Sequence, residues 1–394
     1  VSLHFSGKLT ALYVLDMGKA SPQPSETAEA VLAAARSCGM SAEYMDCSTT
    51  GSRYSISDRS IVVASLSESL VKSSLRHIQK SVSILEASGF AEASAYVSSG
   101  NMIFVSNELS AKVLSSIFGN KYNSWIRFAP KVSDWTVFDL TEIGEDISLY
   151  GSLVTDGDQS DFISVFGRTG TASSKLSSVL PSNTLAAATL PVVNVAEYIS
   201  AYHLFLDARQ SLQTRQTAIE ALEKKTGISP VAYFARLEPK EVATASFIEG
   251  GKLERVNLIR VAKPDTLKNC ASGAYPYKYM SFASTIFGNL YELPDESSFT
   301  YLNGWLISGS QTGVKAFSDG KAGQYTLKEF MVNAGMDDLF AAESASFMAY
   351  LSLTEDRGSL ESMFSKPVTT ALISEIQDSD YSGIFISAGQ PKLP

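Results

Sequence analysis

The sequence predicts an α+β fold: two related lobes, each a mixed or antiparallel sheet with packed helices. Three observations lead there. Short apolar runs of strand character are interspersed with amphipathic runs of helical period. Neighbouring strand candidates are joined by tight turns, above all at Asn303-Gly304, the pair that most strongly marks a hairpin. A hairpin, a short helix and a strand near residue 100 recur in the same order near residue 300.

In the first half, Leu9 to Met17 (LTALYVLDM) reads as a buried strand, and Pro22 and Pro24 mark a loop. Glu26 to Ser37 is helical, with Gly39 as its stop. Ser60 to Ala64 (SIVVA) is the next strand. Leu66, Leu70, Leu75, Ile78, Val82 and Leu85 then form one helical stripe, closed by Gly89. Two short strands, Ser94 to Val97 and Met102 to Ser106, flank a Ser99-Gly100-Asn101 turn. A helix from Ser110 to Phe118 and strands at Trp135 to Leu140 and Ser152 to Thr155 complete this half.

The second half opens with a strand, Leu185 to Leu190, and helices at Val195 to Leu206 and Ser211 to Lys225, the latter stopped by Gly227. Val242 to Phe247 and Arg255 to Val261 read as paired strands around Gly250-Gly251. Phe299 to Leu302 and Trp305 to Ser308 form the Asn-Gly hairpin, and Val314 to Phe317 begins a helical turn. Ser346 to Leu353 and Gly383 to Ser387 are the last strands. Overlaying Tyr96 to Leu114 on Tyr301 to Phe317, and Ser133 to Leu140 on Ser346 to Leu353, suggests an internal duplication. The expected division is 1–170 and 171–387, joined through the Ser-, Thr- and Gly-rich stretch 165–182, with 388–394 as a linker-like tail.

Composition narrows the function. At 394 residues and 45% apolar, the chain can build large cores. Only 19% of residues are charged, and 59 serines take their place, against a charged share of about 25% in ordinary globular proteins. The net charge is -9 with 32 scattered basic residues. Phosphate neutralisation needs clustered Lys and Arg, so a nucleic-acid partner is not expected. No apolar run reaches the roughly 18 residues of a membrane span. Cys38, Cys47 and Cys270 form no C-x-x-C pair. Cys38 and Cys47 are near enough in sequence to pair, and buried thiols are the alternative.

One set of motifs imitates an active site. Ser69-x-x-Lys72, Ser99-Gly100-Asn101 and Lys225-Thr226-Gly227 follow the order of the penicillin-binding motifs. Helix phase argues against it. At about 100° per residue the apolar stripe centres near Ile78 and Val82, which puts Ser69 and Lys72 on the solvated side. The other two motifs read better as a turn and a helix C-terminus. Asp378-x-Asp380-x-Ser382-Gly383 and Asp156-x-Asp158-x-Ser160 resemble half of a calcium loop but lack the bidentate Glu at the twelfth position. His4, His77 and His203 have no ligand partner at helical spacing. No cofactor, metal or catalytic residue is therefore expected. The remaining candidates are aromatic. Tyr275, Tyr277 and Tyr279 project to one side at strand spacing. Trp125, Trp135 and Trp305 read as half-buried in strands, and Trp305, which follows a tight turn, as the one of the three open to exposure. Such rings suit a glycan or a partner strand.

LTALYVLDM near the start, SNTLAAATLPVVNVAEYI at the second half and FTYLNGWLISGSQTGVKAF near the end resemble uncharacterised exported proteins of gut Bacteroidota. The resemblance implies a duplicated α+β region ahead of a β-rich one, placed in the periplasm or anchored by a segment before Val1, with further chain after Pro394. The expected function is a non-enzymatic scaffold or partner-binding module of a cell-envelope protein, with protein or envelope glycan as partner. A carrier or sensor of an apolar or glycan ligand is the alternative, and a serine acyl-transferase a remote third.

Overall fold

A computed structural model describes residues 1–5, 9–49, 58–96, 101–143, 146–155, 159–262, 282–335, 337–342, 344–353, 364 and 383–389. Its named strands form three sheets, and every pairing within them is antiparallel. This is the α+β class the sequence predicts.

The first sheet joins β1 (Ser2–Phe5), β2 (Leu9–Lys19), β3 (Ser41–Asp46) and β4 (Arg59–Ser65) in the order β1-β2-β4-β3. In β4 both parities are apolar, so both faces must be covered. Ile61 and Val63 pack under α2 (Glu68–Gln79), and Val62 and Ala64 under α1 (Glu26–Ser37). Both helices begin on a serine cap. Ser25 Oγ accepts from the Ala28 amide at 3.2 Å, and Ser67 Oγ from Leu70 at 3.4 Å. The predicted stripe to Leu85 is not one helix. Ser81 turns left-handed at φ 54, and the Val82 amide closes back on His77 O at 2.9 Å. Leu70, Leu75 and Ile78 cover the sheet, whereas Leu66, Val82 and Leu85 stay exposed.

The second sheet is β5 (Met102–Ser106), β6 (Trp135–Ile143) and β7 (Asp146–Val154), in that order. Its cover is α3 (Phe90–Ser94), whose Phe90 ring lies 5.2 Å from Phe104 and 5.0 Å from Trp135. The strand expected at Ser94 to Val97 is a correction: Ser94 ends α3 and Ala95-Tyr96 is a turn. The run AEASA is rich in alanine, the strongest helix former, and local propensity prevails there. Helices α4 (Asn107–Ile117) and α5 (Asn123–Phe128) lead on to β6.

After α6 (Ile163–Thr169) comes the third sheet, with the order β11-β12-β10-β9-β8-β13-β14. Its strands are β8 (Thr184–Pro191), β9 (Pro239–Glu249), β10 (Lys252–Val261), β11 (Ser298–Leu302), β12 (Trp305–Gly309), β13 (Phe347–Ser352) and β14 (Gly383–Ala388). Two hairpins turn through paired left-handed residues, Gly250-Gly251 (φ 57 and 73) and Asn303-Gly304 (φ 50 and 87), which matches strand twist. Ala188, Val242, Ile259 and Leu306 face α6, α7 (Val195–Ala208), α9 (Pro230–Leu237) and α10 (Phe282–Phe287). The alternate residues Ala187, Ala243, Leu258 and Ile307 face a second core around Leu176, Phe317 and Phe340. Between α7 and α9, α8 (Leu212–Thr226) ends on Gly227 at φ 72, as the sequence predicts.

These strand orders do not reproduce a duplication. β5 lies beside β6, yet their presumed counterparts β12 and β13 are separated by β10, β9 and β8. Strand, helices and strand follow one another in both halves, but the strands are used in different sheets. The stretch 165–182 packs into the fold. Val165, Phe166, Leu176 and Leu180 are buried in the two cores flanking the third sheet.

Candidate functional site

Tyr275, Tyr277 and Tyr279 lie outside the described residues, as do Asp156, Asp158, Asp378, Asp380, Ser99, Gly100 and Cys270. Trp305 is a correction to the expected exposure: it is 2% exposed, within the Phe317 core, with the Arg260 guanidinium 5.9 Å above its ring. Alternation along β12 from the buried Ile307 puts the ring inside. Cys38 is exposed on the α1 side of the first sheet, and Cys47 is buried on the α2 side. The sheet lies between them, so they are not a disulfide.

Ser69 and Lys72 are both exposed on α2. Lys72 Nζ pairs with Glu68 at 2.5 Å, and that carboxylate raises the lysine's pKa. A base for Ser69 would need the opposite shift. Lys225 stands in the last turn of α8, before its Gly227 cap.

Two places remain with features beyond ordinary packing. One is the surface of the first 110 residues. Among the described residues, ten of the sixteen exposed large apolar side chains lie there, including Leu3, Val14, Leu66, Val82, Ile84 and Leu85. Helix α1 packs on β3 and β4 and leaves an open groove of about 270 Å³ along β2. Tyr13, Leu15, Val31, Ala35, Cys38 and Met40 are among the residues lining it. Scattered single apolar residues need no explanation, but a concentration of this kind does.

The other is a buried polar layer on the face of the third sheet that α6, α7, α9 and α10 cover. Register places Thr244 opposite Asn257, Ser246 opposite Arg255, and Asn257 opposite Ser308. All five side chains are buried and sit at the parity of Val242 and Ile259. Tyr122 and Trp125, from the turn into α5 and from α5, lie over this end of the sheet. Arg255 stands 6.0 Å from the Tyr122 ring centroid. Asn257 Nδ2 donates to Tyr291 O at 2.7 Å, and Ser308 Oγ donates to Glu296 Oε1 at 2.8 Å.

The electrostatics follow from this burial. Desolvation pushes the Tyr122 phenol up to about 12, with Ser246 and Arg255 opposing the rise. It lowers the Arg255 pKa, against the pull of Tyr122 and Glu292. It lifts Glu296 to about 7, with Ser308 and Asn257 holding it down. Ser246 is near enough to act on Tyr122, yet the pair does not meet hydrogen-bond geometry. Tyr122 Oη, Trp125 Nε1, Thr244 Oγ1, Ser246 Oγ and Asn257 Oδ1 have no hydrogen-bond partner among the described residues. A buried polar atom left so costs about 1–3 kcal/mol, and native interiors hold few of them. Sequence reading missed this layer. Its trace is polar residues at period two in otherwise apolar strands, Thr244 and Ser246 in VATASF, Arg255 and Asn257 in RVNLI.

No family model, no curated protein and no solved structure matches the chain. Among the described residues, no group of His, Cys, Asp and Glu is arranged to hold a metal ion, and no helix is long and apolar enough to cross a membrane.

Proposed function

We propose that the chain is a non-enzymatic partner-binding module of an exported cell-envelope protein, and that its first α+β unit carries the binding surface. The observation behind this reading is the half-used apolar stripe of α2 and its flanking residues. Leu70, Leu75 and Ile78 pack on the sheet, while Leu66, Val82 and Leu85 face solvent. With the groove along β2, they give this unit apolar surface that its own two helices do not cover. Burying such surface against a partner contributes about 25 cal/mol per Å² before the costs of association. The export element of the reading rests on the likeness to Bacteroidota proteins.

Site-specific photo-crosslinking in the cell of origin tests it. A crosslinker at Val14 or Leu85 is expected to give one discrete protein adduct, and a crosslinker at the exposed Lys224 of α8 none. Equal yields at all three positions, or none at any, refute the proposal.

A further inference from the structure

Between α2 and α3 the chain makes a short ordered segment whose large side chains enter no core. α2 ends in a left-handed closure, in which the Ser81 amide donates to Ile78 O at 3.0 Å and the Val82 amide to His77 O at 2.9 Å. Such a closure often seats the side chain in Val82's position on an apolar residue of the preceding turn. The residues there are Arg76 and His77. Ser83 then caps a single 3₁₀ turn, Ile84–Glu86, its Oγ accepting from the Leu85 amide at 3.2 Å. Ser88 O accepts from Trp135 Nε1 at 2.8 Å, which pins the far end to β6. Val82, Ile84 and Leu85 nonetheless stay 54%, 55% and 45% exposed. The segment is held at both ends and turns three aliphatic side chains towards solvent. A rigid presentation of this kind loses little conformational freedom on binding.

The charge beside it selects the occupant. From Leu66 to Leu85 the chain carries three basic residues, Lys72, Arg76 and Lys80, and one acidic residue, Glu68. Glu68 is taken up by Lys72. Arg76 and Lys80 are exposed, in the last turn and at the C-cap of α2, next to the closure that holds Val82. Glu86, at the far end of the 3₁₀ turn, has a partner within the chain. The local charge is positive on a chain whose net charge is -9. A bilayer is a poor match, because clusters that hold anionic lipid carry about 4–8 Lys or Arg and the rest of the chain would be repelled. An apolar centre with a thin charged rim is the anatomy of a protein interface, and carboxylates complement this rim.

We infer that Val82, Ile84 and Leu85 form a knob that enters an apolar pocket of a partner protein, and that carboxylates at the rim of that pocket meet Arg76 and Lys80. This docking presupposes that the first α+β unit is the binding surface and adds the chemistry of the partner.

The full chain with the photo-crosslinker at Leu85, in the cell of origin, is the probe. Arg76→Glu with Lys80→Glu should lower the yield of the Leu85 adduct about tenfold or more, because like charges across a rim oppose docking. The same reversal at Lys224 and Lys225 of α8 should leave the yield unchanged. Ile84→Ser should lower it comparably to the reversal at α2. All these positions are exposed, and the melting temperature shows whether each variant folds. If the α2 reversal does not, Arg76→Gln with Lys80→Gln takes its place, with a smaller loss. The partner peptide joined to Leu85, sequenced by mass spectrometry, should come from a surface rich in Asp and Glu. An adduct at Val14 but none at Leu85 overturns the knob and leaves the first unit as the binding surface, whereas no adduct at either position refutes both. A Leu85 yield untouched by the α2 reversal overturns the knob, and so does an adduct that joins two copies of this chain. Flotation of the purified chain with phosphatidylglycerol vesicles, lost on Ile84→Ser, also overturns it and assigns the segment to a lipid surface.

Discussion

Replacing Glu296 with Gln should make the protein more stable at neutral and alkaline pH and leave it unchanged in acid. Glu296 lies in the loop before β11, and burial raises its pKa from 4.5 to about 7, with the Ser308 and Asn257 contacts opposing. The folded state therefore holds the proton more tightly than the unfolded chain. A raised carboxyl pKa means that stability is fully present below 4.5 and is lost as pH rises to about 7. The loss amounts to about 3 kcal/mol, at about 1.4 kcal/mol per pKa unit. Gln is neutral throughout and keeps an acceptor for the Ser308 hydroxyl. Urea unfolding of both proteins, followed by tryptophan fluorescence from about pH 4 to pH 8, measures the difference directly, because titrations elsewhere cancel. The two should agree at the acid end and separate by up to about 3 kcal/mol at the alkaline end, with the variant the more stable. Parallel profiles across that window would show that Glu296 titrates normally in the fold, and the account of the layer as desolvated would fall with it.

Arg215→Gln should destabilise by about 2–4 kcal/mol in thermal unfolding. Arg215 Nε and Nη2 hold Thr285 O and Ile286 O of α10 at 3.0 and 2.9 Å, and the guanidinium lies 4.7 Å over Tyr202. Phe247→Ala opens the core against Phe317, whose ring is 5.6 Å away, and should cost about 3–5 kcal/mol by urea denaturation. Thr326→Ala breaks the capping box with Glu329 at the start of the Leu327–Asn333 helix and should cost about 1 kcal/mol by the same measure. A fluorescent β-lactam should leave Ser69 unlabelled, because Lys72 is paired with Glu68; a covalent adduct there would revive the acyl-transfer reading.

Elements with a strong local signal were legible in the sequence. Glu26–Ser37 has its serine cap and glycine stop, and Asn303-Gly304 has its hairpin. The weakly patterned elements were not. β3 (SAEYMD) is a half-buried strand of mixed parity, and α9 begins at Pro230, a first-turn proline that reads equally as a break. Helix phase placed Ser69 and Lys72 correctly on the solvent side. It failed past Gln79 because hydrophobic period does not register that Ser81 leaves the helical region. The polar layer was illegible for a different reason. Tyr122, Ser246, Asn257 and Ser308 are far apart in sequence, and only the pairing of β9, β10 and β12 under α5 brings them together.

The opposite face of the same sheet shows why the layer stands out. Glu241 is fully buried there, on β9, three residues before Thr244 along the strand. A buried carboxylate is costly unless its oxygens are bonded. Glu241 meets that demand. It accepts from the Ser174 hydroxyl, from the Lys175 amide at 3.2 Å, from Thr189 at 2.8 Å and from Arg260 Nε at 3.1 Å. These contacts tie the segment before β8, β8 itself and β10 to one side chain, and they leave both oxygens occupied. Its chemistry is consumed by the fold. Across the sheet, β9 and β10 present Thr244, Ser246 and Asn257, each with an atom that the fold does not occupy. Burial alone does not separate a structural polar group from a binding one, since both sets are inaccessible to about the same degree. Saturation of the hydrogen-bonding capacity does, and by that criterion Glu241 holds the sheet together while Thr244, Ser246 and Asn257 each keep a polar atom that the sheet does not use.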